Sequence, residues 1–447
     1  MSSAVSGANS GTTTGLGQGI DVTAFVTAAL AGDQANITQI QSQQTAVNTQ
    51  NTALAQITAE LQALQSAAFS LGDPLGSLSS QAAKSSNSNI VGATASSTAS
   101  SATHSVTVNS LATTSSYYTA PVLTSTTPLA TGSFSFQVGS GTPVGVTISS
   151  ANNTLDGLAS SINNLSAGVT ASVVNDANGS RLALVSNTSG APGDLTVSGN
   201  TTGLTFTKAV TGANASLVVD GIPISSTSNT VTSAINGVTL NLGSAAPSSP
   251  VSITVSPDTS NATNAVNAFV SAYNTAIKDI NNQFQVIGNT VGGPLNADGS
   301  VRDAQGSLLG AIAFSISGNN GIVNLASLGI NLNNDGTLSV DQSKLSSTLA
   351  SNYSSVRDFL QNSSTGFAQN LSTSLNALIA SGSGSLSLDA QGLSSTSQSL
   401  SQTISDLQDA FNTKQQNLFL VYSQVNATLQ ELPLLQQQLS QQLSGIP

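Results

Sequence analysis

Heptad repeats of apolar residues near the two ends of the chain limit what it can fold into more than any other feature. The stronger repeat lies towards the C-terminus, where Lys414, Thr428 and Gln442 are its polar exceptions. One seam position holds Ile404, Phe411, Leu418, Val425, Leu432 and Leu439, and the alternate position holds Leu400, Leu407, Val421 and Leu435. Apolar residues at this spacing are typical of a helix that packs against another helix along one seam.

A shorter repeat begins at Ile37. Its seam positions are Ile40, Val47, Leu54, Leu61 and Ala68 on one side, and Gln43, Gln50, Ile57, Leu64 and Leu71 on the other. The sequence Gly72-Asp73-Pro74 ends this helix, because proline cannot continue it. A single helix buries too little apolar surface to offset the entropy of ordering it, so we expect the two repeats to pair with each other. Pro433 is expected to kink the second helix or to separate its last turns.

The middle of the chain, from about 84 to 257, has the two-residue alternation of β-strands, as in Val251-Ser252-Ile253-Thr254-Val255. Asn178-Gly179, Asp220-Gly221 and Asn236-Gly237 predict three hairpins with type I′ turns. One helix, from Leu155 to Leu165, follows a polar cap at Asn152-Asn153-Thr154, which predicts a β-β-α-β-β unit.

The periodicities predict an α+β multidomain protein, in which terminal helices form a coiled-coil or helical-bundle leg and the middle forms a β-rich head. Beyond residue 258 the helical period returns, with a hairpin at Asn334 to Val340. The predicted domains are a disordered or weakly helical terminal segment (1–36, with 433–447), an N-terminal leg helix (37–83), a proximal head domain (84–112 and 213–257), an inserted outer head domain (113–212) and a helical leg domain (258–432).

Composition excludes several classes of function. Only 6% of the 447 residues are charged, and the net charge of −11 makes binding to nucleic acid or to an anionic membrane improbable. The chain has no cysteine, so it forms neither disulfides nor thiolate metal sites. No sustained apolar segment of the kind found in a cleaved signal peptide is present near the N-terminus.

Candidate catalytic and metal-binding residues are few, and none is predicted to act. His104 is the one histidine and starts an alternating strand, which favours a structural, exposed side chain. The segment Asn331 to Gln342 resembles a calcium loop, but Gln342 replaces the bidentate glutamate, so a hairpin is favoured. Asp406 and Asp409 fall on the outer face of the last helix. We predict no enzyme, no cofactor and no metal.

One aromatic pair is a candidate for surface recognition. Adjacent residues of a strand point to opposite faces, so one of Tyr117 and Tyr118 is expected in the core and the other at the surface.

Several sequence segments resemble those of the flagellar hook-associated protein 2 family, the family of the flagellar filament cap. They are Gly15 to Val22, Ser105 to Val108 with Leu111-Ala112-Thr113, Phe134 to Ser186, Leu217 to Gly221, Ser228 to Val231, Gly237 to Leu240, Phe269 to Asn274, and Asp335 to Asp341. They occur in the order and approximate spacing of that family. The chain departs from the family in its scarcity of Lys, Arg and Glu along the terminal helices.

This resemblance implies a ring-shaped homo-oligomer at the distal end of the flagellar filament. A subunit of that kind is exported through the flagellar channel without a cleaved signal peptide, and it promotes the folding and polymerisation of flagellin while preventing its loss. The implied partners are copies of itself, flagellin, hook–filament junction proteins and an export chaperone. We assign self-assembly to a set of seam residues: Ile40, Val47, Leu54, Ile57, Leu61, Leu64, Ile404, Leu407, Phe411, Leu418, Val421, Val425, Leu432, Leu435 and Leu439. An adhesin that binds glycans or host surfaces, and a hook–filament junction subunit, are the alternatives.

Overall fold

The computed structural model describes residues 20–285 and 292–443. The chain divides into two compact units. The helical unit comprises residues 1–69, 268–341 and 362–447, and the β-rich unit comprises residues 70–267 and 342–361. The predicted α+β class, with terminal helices and a β-rich middle, is confirmed.

The two heptad repeats form long helices. The helices are α1 (Val22–Gly72), α2 (Leu155–Asn164), α3 (Thr259–Phe284), α4 (Gly299–Ile312), α5 (Gln342–Ser351), α6 (Tyr353–Gln361), α7 (Phe367–Ile379) and α8 (Ser385–Leu443). Helix α1 ends at Gly72 as predicted, but it begins fifteen residues before Ile37. Pro433 lies inside α8, which continues to Leu443, so proline does not separate the last turns, and the other alternative, a kink at this position, stays a prediction. Within the described residues, no helix combines the length and the hydropathy needed to span a membrane.

The strands of the β-rich unit surround two separate cores. The strands are β1 (Gln81–Ser85), β2 (Val91–Ala95), β3 (Ala102–Ser110), β4 (Thr114–Thr119), β5 (Gly132–Val138), β6 (Val144–Ile148), β7 (Val169–Asp176), β8 (Gly179–Ser189), β9 (Leu195–Ser198), β10 (Phe206–Val210), β11 (Ala215–Val219), β12 (Ile222–Ser226), β13 (Thr230–Ile235), β14 (Val238–Leu242) and β15 (Val251–Pro257). A five-stranded sheet, β1-β15-β3-β11-β12, and a three-stranded sheet, β13-β14-β2, enclose the first core, which includes Val106, Leu217, Leu240 and Ile253.

The second core lies between a four-stranded sheet, β10-β4-β8-β7, a three-stranded sheet, β6-β5-β9, and helix α2. The predicted β-β-α-β-β order is confirmed, but its two hairpins belong to different sheets. Helix α2 starts where expected because the hydroxyl of Thr154 accepts a hydrogen bond from the backbone N–H of Gly157 at 3.1 Å. Its buried face contributes Leu155, Leu158 and Ile162 to this core.

The three predicted hairpins are present, but only one has a type I′ turn. Asp220 and Gly221 both have positive φ, at 50° and 83°, and connect β11 to β12. In the turn between β13 and β14, only Gly237 has positive φ. In the hairpin of β7 and β8, the last paired residues are Asp176 and Gly179, so the turn lies one residue earlier than the Asn178-Gly179 pair predicts.

The chain enters and leaves the second core at neighbouring positions. The backbone N–H of Thr113 donates to the carbonyl of Ala213 at 2.9 Å, and the N–H of Ala213 donates to the hydroxyl of Thr113 at 3.0 Å. The segment that builds this core is therefore closed by hydrogen bonds at its base. The predicted boundaries 84–112, 113–212 and 213–257 stay a prediction.

The helical unit packs aromatic side chains of α3 and α7 together. The rings of Phe269 and Phe367 meet edge to face, with their centroids 5.5 Å apart. A small hairpin of β16 (Ile330–Leu332) and β17 (Leu338–Val340) lies beside α3, where the hydroxyl of Tyr273 donates to the carbonyl of Gly336 at 3.0 Å. The Asp335 carboxylate accepts the backbone N–H of Thr337 at 2.9 Å, so the loop that resembles a calcium site forms the predicted hairpin turn.

Candidate assembly surface on the terminal helices

Helices α1 and α8 form an antiparallel pair. Across it, the Lys414 ammonium lies 2.8 Å from the Asp33 carboxylate, and the rings of Phe25 and Tyr422 are 5.9 Å apart. Nearer the start of α8, the Ser397 hydroxyl donates to the side-chain oxygen of Asn48 at 2.6 Å. Increasing residue numbers on one helix thus meet decreasing numbers on the other.

This register differs from the predicted pairing of residues 37–71 with the C-terminal seam. The part of α8 around Asn426 meets residues before Ile37, as the hydrogen bond from the Ile20 N–H to the side-chain oxygen of Asn426 at 2.8 Å shows. The later half of α1 contacts other helices, since the Gln65 amide donates to the side-chain oxygen of Asn376 at 2.8 Å. The heptad repeats predicted the two helices and their pairing, but the contact with α8 uses residues 20–48 instead of the whole of 37–71.

The seam residues of α1 divide into two groups by burial. Ile40 and Val47 are half-buried beside α8, and the remaining members are fully buried, namely Leu54, Ile57, Leu61 and Leu64. The predicted alternate position Gln43 is exposed, and the neighbouring Gln44 instead donates to the carbonyl of Ser397 at 3.4 Å.

The seam residues of α8 divide along its length. Those nearer the start are half-buried: Ile404, Leu407, Phe411 and Leu418. Those towards the end are exposed to between 39% and 59%: Val421, Val425, Leu432, Leu435 and Leu439. We call this second group the apolar stripe.

The apolar stripe turns away from α1 because a straight α-helix has 3.6 residues per turn while the repeat has 3.5. Each heptad therefore rotates by about 20°, or about 80° over the four heptads from Ile404 to Leu432. Tyr422 and Asn426, which are not seam residues, take the face towards α1. The earlier part of the C-terminal repeat thus packs against α1, and its later part leaves an apolar surface exposed.

Two grooves flank the helix pair. One, of about 590 Å³, is bounded by Leu30 and Ala31 of α1 and by Phe411 of α8. The other, of about 530 Å³, is a depression on α8 alone that is bounded by Lys414, Leu418 and Val421 and reaches the apolar stripe. The first groove lies between the two paired helices and has the shape that a further helix fills.

Charge contributes little to this surface. Helix α8 carries five charged side chains in 59 residues, namely Asp389, Asp406, Asp409, Lys414 and Glu431. Asp406 and Asp409 are exposed, as predicted. In α1, burial first and then the nearby charge of Asp279 raise the pKa of Glu60, against the hydrogen bond from Gln56. Contacts here depend on shape and apolar area more than on ion pairs.

Residues 22–36 form part of the α1–α8 pair, although the sequence predicted only a disordered or weakly helical segment there. Val26, Leu30 and Ile37 are buried and continue the inner face of α1. Their spacing of four and seven residues is a helical signal, but the alanine, glycine and threonine residues around them leave the segment with few large side chains. Residues 1–19 lie outside the described part of the chain.

The other predicted candidates lie in the β-rich unit. Tyr117 packs against the second core, while Tyr118 is 37% exposed on the outer face of its sheet, with the Arg181 guanidinium 5.6 Å from its ring centre. The Nδ1 atom of His104 lies 2.7 Å from the Asp220 carboxylate. The hydrogen bonds from His104 and from the N–H of Ser105 lower the pKa of Asp220, so this pair ties the β11–β12 turn to β3.

Comparisons with known proteins first define the class. Residues 133–188, which span β5 to β8, match the family described as the flagellin hook IN motif. Together with a helical unit built from both ends of the chain, this match points to the structural components of the bacterial flagellum.

The family follows from longer matches. Residues 18–115 and 212–433 match the N-terminal and C-terminal families of flagellar hook-associated protein 2. The B-type flagellar hook-associated protein 2 of Pseudomonas aeruginosa PAO1 is 30% identical over 92% of this chain and 93% of its own length. The chain therefore belongs to the flagellar hook-associated protein 2 family, which confirms the resemblance seen in the sequence.

Two further relatives support this assignment. The flagellar hook-associated protein 2 of Salmonella typhimurium LT2 is 30% identical over 37% of this chain and 37% of its own length. A crystal structure of the D1-D2-D3 domains of the flagellar cap protein FliD from Escherichia coli is similar with a TM-score of 0.58, at 26% identity, covering 76% of this chain and 99% of that one. Neither alternative, an adhesin or a junction subunit, is supported.

Proposed function

We propose that this chain is the structural cap at the distal end of a bacterial flagellar filament, where it promotes the folding and polymerisation of flagellin and prevents its loss. The observation that carries the proposal is the similarity to a hook-associated protein 2 over 92% of the chain. The related protein of Escherichia coli is a flagellar cap protein. The role is mechanical and needs no covalent chemistry.

The apolar stripe is the proposed contact between cap subunits. Leu435 and Leu439 lie in the last turns of α8, beyond the contacts that Tyr422 and Asn426 make with residues 20–25, and their side chains are 58% and 59% exposed. We propose that a second copy of the chain covers them. Burying leucine side chains contributes about 1.5–3 kcal/mol each, and the scarcity of charge lowers the cost of removing water from this surface. The adjoining groove at Leu418 and Val421 extends the contact.

Further partners follow from the proposed position at the tip. Flagellin is the protein that a cap meets there, hook–filament junction proteins are its neighbours before the filament grows, and an export chaperone would cover the apolar stripe before assembly. We propose that the chain reaches the extracellular filament tip through the flagellar secretion channel. The absence of cysteine supports this route, since no disulfide can form as the chain changes compartment.

The proposal is tested in a strain that lacks the gene and carries it on a plasmid. The wild-type gene should restore filaments, and the deletion alone should release flagellin into the medium. Leu435→Asp should fail to restore filaments, because the charge would be buried without a partner in the subunit contact. Leu388→Asp is the matched control, since Leu388 is a 51% exposed leucine of the same helix outside the apolar stripe.

Electron microscopy and the amount of flagellin in the medium are the measurements. Normal filaments in the deletion strain would refute the cap function. Full restoration by Leu435→Asp, or equal failure of Leu388→Asp, would refute the role of the apolar stripe while leaving the cap function in place.

A further inference from the structure

A serine hydroxyl lies between two carboxyl groups where α4 begins beside the first turns of α8. The Ser300 Oγ atom is 2.7 Å from an oxygen of Asp298 and 2.9 Å from an oxygen of Asp389. A hydroxyl has one hydrogen and can donate it to only one of these oxygens. The other short contact is a hydrogen bond only if a carboxyl group supplies the second proton.

Asp298 is the ionised member of the pair. As the N-cap of α4, its carboxylate accepts the backbone N–H groups of Ser300 at 2.8 Å and Val301 at 3.2 Å. Burial works against the charge, but hydrogen bonds from Ser300, Asp389 and Val301 together lower the pKa of Asp298. A carboxylate that caps a helix also gains from the helix dipole.

Asp389 is the member that holds the proton. Burial first, and then the hydrogen bond and the negative charge of Asp298, raise the pKa of Asp389. No ion pair within the described ranges brings a lysine or arginine to either carboxyl group: the neighbouring Arg302 donates to the carbonyl of Asn296 at 3.2 Å and stacks over the ring of Phe284. Two carboxylates bridged by one hydroxyl repel each other, which favours the retention of a proton by one of them.

Ionisable residues of the surrounding helices form no ion pair with Asp298 or Asp389 within the described ranges. Helix α3, whose Asn281 accepts a hydrogen bond from the Gln305 amide of α4, carries Lys278 and Asp279. Helix α7, which packs against both α4 and α8, has no ionisable residue. Besides Arg302, α4 carries Asp303, and the next ionisable residue of α8 is Asp406, which is more than four turns away. The ionisable residues of α1 are Asp33, paired with Lys414, and Glu60.

We propose that Asp298 and Asp389 share one proton and form a pH-sensitive latch between α4 and α8, closed in mildly acidic solution and weakened at neutral and alkaline pH. The raised pKa of Asp389 gives stability that is complete below the ordinary carboxyl value of about 3.9 and is lost as the pH rises through the raised value. The lowered pKa of Asp298 gives stability above about 3.9, which is lost as the pH falls through the lowered value. The contact is therefore strongest at pH values between the lowered pKa of Asp298 and the raised pKa of Asp389.

The test uses Asp389→Asn in the full-length protein, because an amide donates a hydrogen bond to Asp298 at any pH. Melting temperatures are measured by circular dichroism over a pH series that begins near the ordinary carboxyl value of about 3.9 and extends to about 8. The melting temperature of the variant should equal or fall below that of the wild type at the acidic end of the series and exceed it by several degrees at the alkaline end. Asp409→Asn, an exposed carboxylate of the same helix, is the matched control and should show the same pH dependence as the wild type. Parallel curves for all three proteins would overturn the proposal.

Hydrogen exchange of the wild-type protein tests the proposed shared proton even if the Asp389→Asn variant fails to fold. Hydrogen exchange of the Ser300 and Val301 amides reports the α4 cap, because both amides donate to Asp298. Protection, corrected for the intrinsic effect of pH on exchange, should fall in the wild type as the pH rises. Protection that does not change with pH would overturn the proposal. Both measurements concern folding, so their outcome is independent of the cap function.

Discussion

Leu61 and Leu435 occupy the same kind of heptad position but should respond to mutation in opposite ways. Leu61 is completely buried in the helical unit, whereas Leu435 is 58% exposed in the single chain. Leu61→Ala leaves a cavity and should lower the free energy of unfolding by about 2–5 kcal/mol. Leu435→Ala removes a side chain that water already surrounds, so the expected change is within about 0.5 kcal/mol.

Assembly should show the reverse order. If the apolar stripe is buried between copies, truncating Leu435 should cost about 1.5–3 kcal/mol of association free energy, or roughly 10- to 150-fold in the dissociation constant. Urea unfolding followed by circular dichroism measures the first quantity, and sedimentation velocity over a dilution series measures the second. Equal losses of stability in the two variants, or a Leu435→Ala protein that associates like the wild type, would refute the division between folding and assembly residues.

Three further perturbations test individual contacts. Lys414→Met should lower stability by less than about 1 kcal/mol, since the ion pair is half-exposed, and the loss should vanish in about 1 M salt when unfolding is measured with and without it. Asp220→Asn should lower the stability of the β-rich unit by no more than about 1 kcal/mol at neutral pH. Because His104 lowers the pKa of Asp220, the difference from the wild type should disappear as the pH falls through that lowered value. Unfolding midpoints measured over an acid pH series check this. Gly237→Ala should cost about 1–3 kcal/mol, because φ is 72° and the new methyl group would lie 2.6 Å from a backbone nitrogen, whereas Gly221→Ala, with open space around it, should cost only the backbone strain of about 1 kcal/mol in thermal unfolding.

Local sequence patterns predicted helices and strands more accurately than they predicted which of these elements pack together. Thr154 and the leucines of α2 were readable because capping and helical spacing act within a few residues. The heptads of α1 and α8 predicted two helices, yet a heptad defines a face of a helix and not the surface that covers it. Leu61 and Leu435 therefore look alike in the sequence, and only the register set by contacts such as Lys414 with Asp33 separates them.

Some features of the candidate sites depend on the tertiary fold alone. Ser300 and Asp389 are 89 positions apart, and neither residue belongs to a recognisable motif, so no local pattern predicts that their side chains meet. Tyr117 and Tyr118 are the opposite case, because strand alternation alone separates the core residue from the surface residue. The pairing of His104 with Asp220 required the alignment of β3 with β11.

The hydrogen-bonded base at Thr113 and Ala213 has a consequence for how such chains diversify. A segment whose two ends are already one hydrogen bond apart closes no new loop in its host, so its length hardly affects the entropy of folding the rest. The whole segment between these residues can be exchanged, enlarged or lost while the strands that carry it keep their pairing. Selection can therefore rewrite this segment without disturbing the proposed assembly surface on the terminal helices.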